Sequence, residues 1–121
     1  MPVSIRASLV LDFSPAAALA AGATSTVTLT TVRGFDIYDF SALATATNAG
    51  STAQLLTGGV AASNAAVMAT DGTIGRFATG LTNARRTVAA AGTIGVLFTD
   101  GGGGGGANGH AYAAVLPNVI S

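Results

Sequence analysis

The chain has 121 residues, carries no cysteine and has a formal net charge of zero. Asp, Glu, Lys and Arg make up only 8% of it, whereas an ordinary soluble domain carries about 25%. The length fits one domain, the lack of cysteine excludes disulfides and thiol chemistry, and the neutral composition lacks the basic surface that nucleic acid requires.

The N-terminal segment, residues 1–23, is predicted to be a strand followed by an alanine-rich connection. Apolar and polar side chains alternate over residues 3–13, which is typical of a half-buried strand. A signal peptide is the alternative, but Asp12 interrupts the apolar run, so the strand is favoured. Residues 15–22 are interpreted as a short helical turn capped by Ser14. No apolar run reaches the roughly 18 residues of a membrane span.

The middle of the chain is predicted to consist of short strands. Residues 24–32 are rich in β-branched side chains, which favour a strand. Residues 35–46 also read as a strand, and their imperfect alternation predicts a bulge near Asp39. Further strands are predicted at 53–56, 65–70, 73–79 and 86–89, with a helix as the alternative for 60–68.

The C-terminal part is predicted to be one β-hairpin built around a glycine-rich loop. Residues 93–99 and 111–116 are apolar almost without a break, as expected of strands covered on both faces. Between them lie Asp100 and a run of glycines, residues 101–106. Glycine accepts positive φ without a steric cost, so this run is typical of a turn.

The spacing of these segments predicts an all-β fold. About eight short strands, roughly ten residues apart, are typical of an antiparallel β-sandwich, here of jelly-roll type. We expect a single domain over residues 1–121, with the sandwich proper and its C-terminal hairpin in residues 24–121. Because many of the apolar residues are alanines, the core is expected to be thin and self-association to supply further stability.

Side chains suited to catalysis are scarce. The chain has one histidine, five aspartates and no Cys, Lys or Glu, so we expect no enzyme activity, cofactor or metal site. His110 is interpreted as a turn or interface residue. Asp36 and Asp39 stand three apart in one strand and are expected on opposite faces, where they could not act as an acid/base pair. The glycine run lacks the lysine and the helix of a phosphate-binding loop.

The low charge predicts that copies of the chain, or a partner, cover part of its surface, because a lone soluble domain normally stays dispersed through charged side chains. Arg85 and Arg86 are the one basic pair, and we expect them to pair with aspartate across a subunit interface. The apolar side chains of the N-terminal strand, Ile5, Leu9 and Leu11, are the other candidate interface residues. Neither nucleic acid nor a membrane is an expected partner.

Several segments resemble small virion proteins of tailed phages. Residues 47–55 and 57–59 follow the pattern T-x-x-G-x-T-x-Q-L-x-T-G of these proteins, and Asn64-Ala65 follows at the expected place. Residues 88–96 are similar to their segment V-x-A-G-T-L-x-V, and residues 115–117 give the closing Val-Leu-Pro. The resemblance spans about residues 40–117.

This resemblance implies a jelly-roll protein, usually encoded beside the capsid gene, that decorates or projects from the particle. It therefore implies a capsid decoration or head-spike subunit at the capsid surface of the virion. The implied assembly is a homotrimer, and the implied partner is the major capsid protein or another virion protein. Two alternatives stay open: a receptor- or glycan-binding knob of a fibre or tail, and a non-viral self-assembling shell or surface protein.

Overall fold

The computed structural model describes residues 9–15, 22–31, 34–44, 51–67, 74–76, 87–100 and 109–117. Of these residues 74% lie in β-strands and none lies in a helix. In chain order the strands are β1 (Leu9–Phe13), β2 (Thr24–Thr30), β3 (Phe35–Ala44), β4 (Thr52–Thr57), β5 (Val60–Ala61), β6 (Ala66–Val67), β7 (Ile74–Arg76), β8 (Thr87–Val88), β9 (Thr93–Thr99) and β10 (Gly109–Pro117).

The strands form two antiparallel sheets. Sheet A has the order β1-β10-β3, and the far edge of β3 pairs with β7 and β8 at different points along its length. Sheet B has the order β2-β9-β4, and the far edge of β4 pairs with β5 and β6 in the same way. The pairing is nested, first strand with last and second with second-last, which is the strand order of a jelly roll. The predicted all-β fold is confirmed, and its antiparallel sheets are compatible with the predicted β-sandwich.

The core lies between the two sheets and draws on both. Its largest fully buried side chains are Phe40, Ile37 and Val115 from sheet A and Phe98, Leu55, Ile94 and Val96 from sheet B. Alanines fill much of the remainder, at positions 42, 44, 53, 62, 66, 111 and 113. Since an alanine side chain has little apolar area to bury, the core buries little apolar area for its number of residues, as the composition predicts.

A bulge in β3 explains its irregular sequence pattern. Ala114 of β10 pairs with Asp39 and the next residue, Val115, pairs with Ile37, so Tyr38 is the extra residue. The bulge shifts the alternation by one position, and Ile37 and Phe40 are therefore both buried. The bulge expected near Asp39 is confirmed.

The predicted C-terminal hairpin is wrong. β9 keeps the predicted bounds, but it pairs with β2 and β4 in sheet B, whereas β10 pairs with β1 and β3 in sheet A. The glycine-rich segment therefore connects the two sheets. Nor are these strands covered on both faces within the chain, because inward residues are buried while outward ones such as Leu97 and Ala114 stay partly exposed.

Other predictions are met within the described residues. Strands occur near 53–56, 65–70, 73–79 and 86–89, and no helix occupies residues 60–67, so the helical alternative is wrong there. Gly58 and Gly59, with φ of 60° and 79°, form the two-residue turn between β4 and β5. The predicted strand residues before Leu9 and most of the predicted helical turn at 15–22 lie outside the described residues.

Candidate functional site

The charged side chains of the strands are confined to sheet A. Asp12 lies in β1, Asp36 and Asp39 in β3 and Arg76 in β7. The five strands of sheet B contain no charged residue at all. The two outer faces of the sandwich therefore differ in chemistry. Sheet A could bind a partner through charged side chains, and sheet B could bind one only through uncharged groups.

On the three long strands of sheet B, β2, β9 and β4, the outer face carries threonine, glutamine, leucine and one glycine. The inward side is fixed by the buried residues Ile94, Val96 and Phe98 of β9, and the strand registers carry this alternation to both neighbours. The outward residues are Thr24, Thr26, Thr28 and Thr30 of β2, Thr93, Gly95, Leu97 and Thr99 of β9, and Thr52, Gln54 and Leu56 of β4. This face presents hydroxyl and methyl groups to a partner. It has no charged group whose removal from water would cost free energy on binding.

The outer face of sheet A carries a small polar cluster. His110 Nδ1 donates to Asp12 Oδ1 at 2.8 Å, across the junction of β10 and β1. The ring of Tyr112 stacks on that of His110, with centroids 6.0 Å apart and an interplanar angle of 12°. His110 thus lies inside a strand and not in a turn as expected. The cluster is open to water, since the His110 and Asp12 side chains are 40% and 54% exposed.

The expectation that Asp36 and Asp39 face opposite sides is wrong. Because Tyr38 is an extra residue in β3, both aspartates lie on the outward side of sheet A while Ile37 and Phe40 point inward. Each carboxylate accepts a hydrogen bond with a structural role. Asp36 Oδ1 accepts a hydrogen bond from the Thr87 hydroxyl at 2.9 Å, and Asp39 Oδ1 accepts one from the Phe40 N–H at 2.9 Å. Both carboxylates thus help to hold neighbouring backbone in place.

Two of the candidate interface residues, Leu9 and Leu11, line an apolar groove. The groove has a volume of about 430 Å³ and opens between β1 of sheet A and β2 of sheet B. Leu29 lines it from the other sheet, and Val115 and Phe35 lie at its floor. Leu9 and Leu29 point inward by register yet remain 49% and 44% exposed. This side of the sandwich is therefore incompletely closed.

Sequence reasoning missed a buried carboxylate, Asp100, at the end of β9. Its Oδ2 accepts a hydrogen bond from the Gly22 N–H at 2.9 Å and its Oδ1 accepts one from the Ser51 hydroxyl at 3.5 Å. Its own N–H donates to the carbonyl of Ala23 at 2.9 Å. These contacts fasten the ends of β2, β9 and β4 together. The position before a glycine run is also typical of a simple turn, so the sequence carried no distinguishing signal.

The other candidate interface residues, Arg85, Arg86 and Ile5, lie outside the described residues. Within the described ranges no group of three or more His or Asp side chains could hold a metal ion. No helix there has the length and apolar character to cross a membrane. Comparison of the chain with family models, with curated proteins and with solved structures finds no match.

Proposed function

We propose that this chain is a structural virion protein, a capsid decoration or head-spike subunit that assembles with itself and with the particle. The observation that supports this most is the uncharged outer face of sheet B. A protein with 8% charged residues and one entirely neutral sheet is suited to being covered by other protein. Jelly rolls are also common in viral capsids, but they occur in lectins and cupins too, so the fold alone decides nothing.

The proposed location is the capsid surface, and the proposed partner is the major capsid protein or another virion protein, as the phage resemblance implies. Contact through sheet B would involve methyl groups, hydroxyls and backbone. Binding should therefore depend little on salt, because screening acts on exposed charges and hardly on buried apolar area. Particles should retain the protein in 1 M NaCl and lose it in mild denaturant.

A matched pair of charge substitutions tests which face binds. Leu97→Glu places a carboxylate at the centre of the outer face of sheet B, and Ala114→Glu places the same group at the centre of the outer face of sheet A. Both variants are mixed with capsids assembled from a major capsid protein that the wild-type chain binds, and are then sedimented. We expect Leu97→Glu to lose binding at least tenfold and Ala114→Glu to bind as the wild type does.

The N-terminal segment is the proposed attaching element, and it needs a separate experiment. Phe13 of β1 is buried in the core, so a deletion through residue 13 would damage the sandwich itself. Deletion of residues 1–8 leaves β1 intact, and we expect it to weaken binding to capsids. Full binding by this deletion would reject the N-terminal attachment. Failure of the intact protein to sediment with capsids would reject the virion role and favour a free shell- or surface-forming protein.

A glycan- or receptor-binding role is the second candidate, and the outer face of sheet A favours it. Tyr38 is 44% exposed there, and the stacked rings of His110 and Tyr112 lie beside the carboxylate of Asp12. Aromatic rings and carboxylates together suit the apolar and hydroxyl sides of a sugar ring. Calorimetric titration with host-surface oligosaccharides tests this role, and Tyr112→Ala should abolish any heat of binding.

A further inference from the structure

We propose that two copies of this chain associate through β2, which pairs antiparallel with β2 of the second copy and joins the two B sheets into one. This contact goes beyond the proposed virion role and does not depend on it. Among the described strands β2 pairs only with β9, so its other edge is free. A free strand edge presents unpaired N–H and C=O groups that can pair with another chain.

The β2 edge lacks the devices that normally block such pairing. Natural edge strands are kept apart by charged side chains, proline, bulges or short length. On the far side of the sandwich the edge strands β5, β6, β7 and β8 are only two or three residues long. β1 has five residues and carries Asp12. β2 has seven residues, TSTVTLT, with no charge and no proline, and pairs with β9 without a register shift.

Backbone directions show which residues of β2 would bond to the second copy. Thr31, just after β2, donates to and accepts from the turn that precedes β9, and the carbonyl of Ala23, just before β2, accepts from Asp100 at 2.9 Å. Backbone groups alternate along an antiparallel strand, so the odd-numbered residues of β2 point to β9. The even-numbered residues are the four threonines, all exposed, and their N–H and C=O groups point to the free edge.

The sequence of β2 is nearly self-complementary about its central residue, Val27. In an antiparallel pairing on a two-fold axis there, Thr24 meets Thr30 and Thr26 meets Thr28 of the second copy, and each such pair shares two backbone hydrogen bonds. The threonine side chains then form cross-strand pairs on the outer face. Because β2 carries no charge, the pairing brings no like charges together. In this register all seven residues of β2 lie opposite a residue of the second β2. We therefore infer that a second copy of the chain occupies the free edge.

The pairing would also cover part of the open groove. Leu29 lines the groove from β2 and is 44% exposed although its side chain points inward. In the two-fold arrangement the second copy extends the sheet beside it, with Ser25 of that copy opposite Leu29. A two-fold contact of this kind uses the same edge of both copies, so no further copy can add to it and a dimer results. The phage resemblance, in contrast, implies a trimer.

A disulfide experiment tests the register. The chain has no cysteine of its own. Val27→Cys would face its own copy in a non-hydrogen-bonded pair, where Cα atoms are about 4.5 Å apart and a disulfide can form. Thr24→Cys is the control, because its two copies would lie six residues apart along the strands, about 20 Å. We expect Val27→Cys to cross-link into dimers under mild oxidation at least tenfold faster than Thr24→Cys, although Thr24 is more exposed. Equal rates, or none for Val27→Cys, would overturn the proposal.

A proline substitution tests the edge itself. Thr26→Pro removes an N–H that points to the free edge and leaves the bonds to β9 in place, whereas Thr26→Val keeps the N–H. The wild type and Thr26→Val should sediment as dimers of about 23 kDa, twice the 11.6 kDa of one chain, and Thr26→Pro as a monomer. A wild-type mass of one or three chains, or a Thr26→Pro variant that dimerises as the wild type does, would overturn the proposal. If Thr26→Pro fails to fold, the cross-linking rates decide.

Discussion

At the scale of single residues, the buried carboxylate of Asp100 is the most informative side chain in the structure. It is 2% exposed and holds the Gly22 N–H and the Ser51 hydroxyl, which belong to the segments entering β2 and β4. A buried polar group costs free energy unless it is hydrogen-bonded, and removing its partner leaves that cost unrelieved. Asp100 therefore determines how one end of sheet B is held together.

Replacing Asp100 with alanine should destabilise the fold. The Gly22 N–H and the Ser51 hydroxyl would lose this acceptor, so we expect the free energy of unfolding to fall by about 1 to 3 kcal/mol. Urea titration followed by circular dichroism measures the change. Asp12→Ala is the control, since that carboxylate is exposed and its bond to His110 is a surface pair worth about 1 kcal/mol or less. Equal losses in both variants would show that Asp100 has no special structural role.

Ala91 should respond to substitution in the opposite direction. It has a φ of 63° in the turn before β9, a conformation that costs a residue with a Cβ atom about 1 to 2 kcal/mol. Ala91→Gly removes this cost but adds chain entropy to the unfolded state, so we expect a net gain in stability of about 0.5 kcal/mol. Ala90→Gly, one residue earlier and without positive φ, should lose about 0.5 to 1 kcal/mol. Chemical denaturation of the two variants in parallel measures both changes. If Ala91→Gly were less stable than Ala90→Gly, the positive φ of Ala91 would be contradicted.

At the scale of elements, the connection between β9 and β10 differs most from what its sequence suggests. Two apolar strands on either side of a glycine run look the same whether they pair with each other or cross between sheets. The structure places β9 in sheet B and β10 in sheet A. Residues 101–108 must therefore connect layers that lie about 10 Å apart, instead of neighbouring strands less than 5 Å apart.

This connection sets a minimum linker length that a hairpin would not need. Replacing residues 101–106 with Asn-Gly leaves four linking residues, and we expect stability to change by less than about 1 kcal/mol, because loop closure depends weakly on length. Replacing all of 101–108 with Asn-Gly leaves two, which reach about 11 Å only when fully extended and cannot reverse the chain. Thermal melts should show a nearly unchanged first variant and a severely destabilised second one. Two equally stable variants would favour the hairpin.

The periodic segments were predictable from the sequence because burial on one face fixes which residues alternate. This holds for β2 and for the bulge in β3, where the shifted positions of Ile37 and Phe40 are visible in the sequence. The bounds of β9 were predictable from its apolar run, but the burial of only one of its faces was not. Strand partners were not predictable, since alternation identifies the inward face of a strand but not its neighbour. The neutrality of sheet B was hidden for the same reason, because it emerges only when β2, β4 and β9 are placed side by side.

At the scale of the whole molecule, the sandwich has one neutral face, one face with charged and aromatic side chains, and one open side. The open side lies between β1 and β2, where the apolar groove and the unprotected β2 edge adjoin. Association through β2 would leave the outer faces of both sheets available. The two copies could therefore present a continuous neutral surface to a particle, with the polar faces of sheet A on the other side.

The account depends most on the claim that this chain assembles through uncharged contacts. Sedimentation velocity of the intact protein at micromolar concentration, from 0.05 to 1 M NaCl, tests that claim directly. We predict a mass of at least two chains, about 23 kDa or more, that does not fall as salt rises, because neither backbone pairing nor apolar burial is weakened by screening. A single species of 11.6 kDa throughout, or an assembly that dissociates as salt rises, would contradict it.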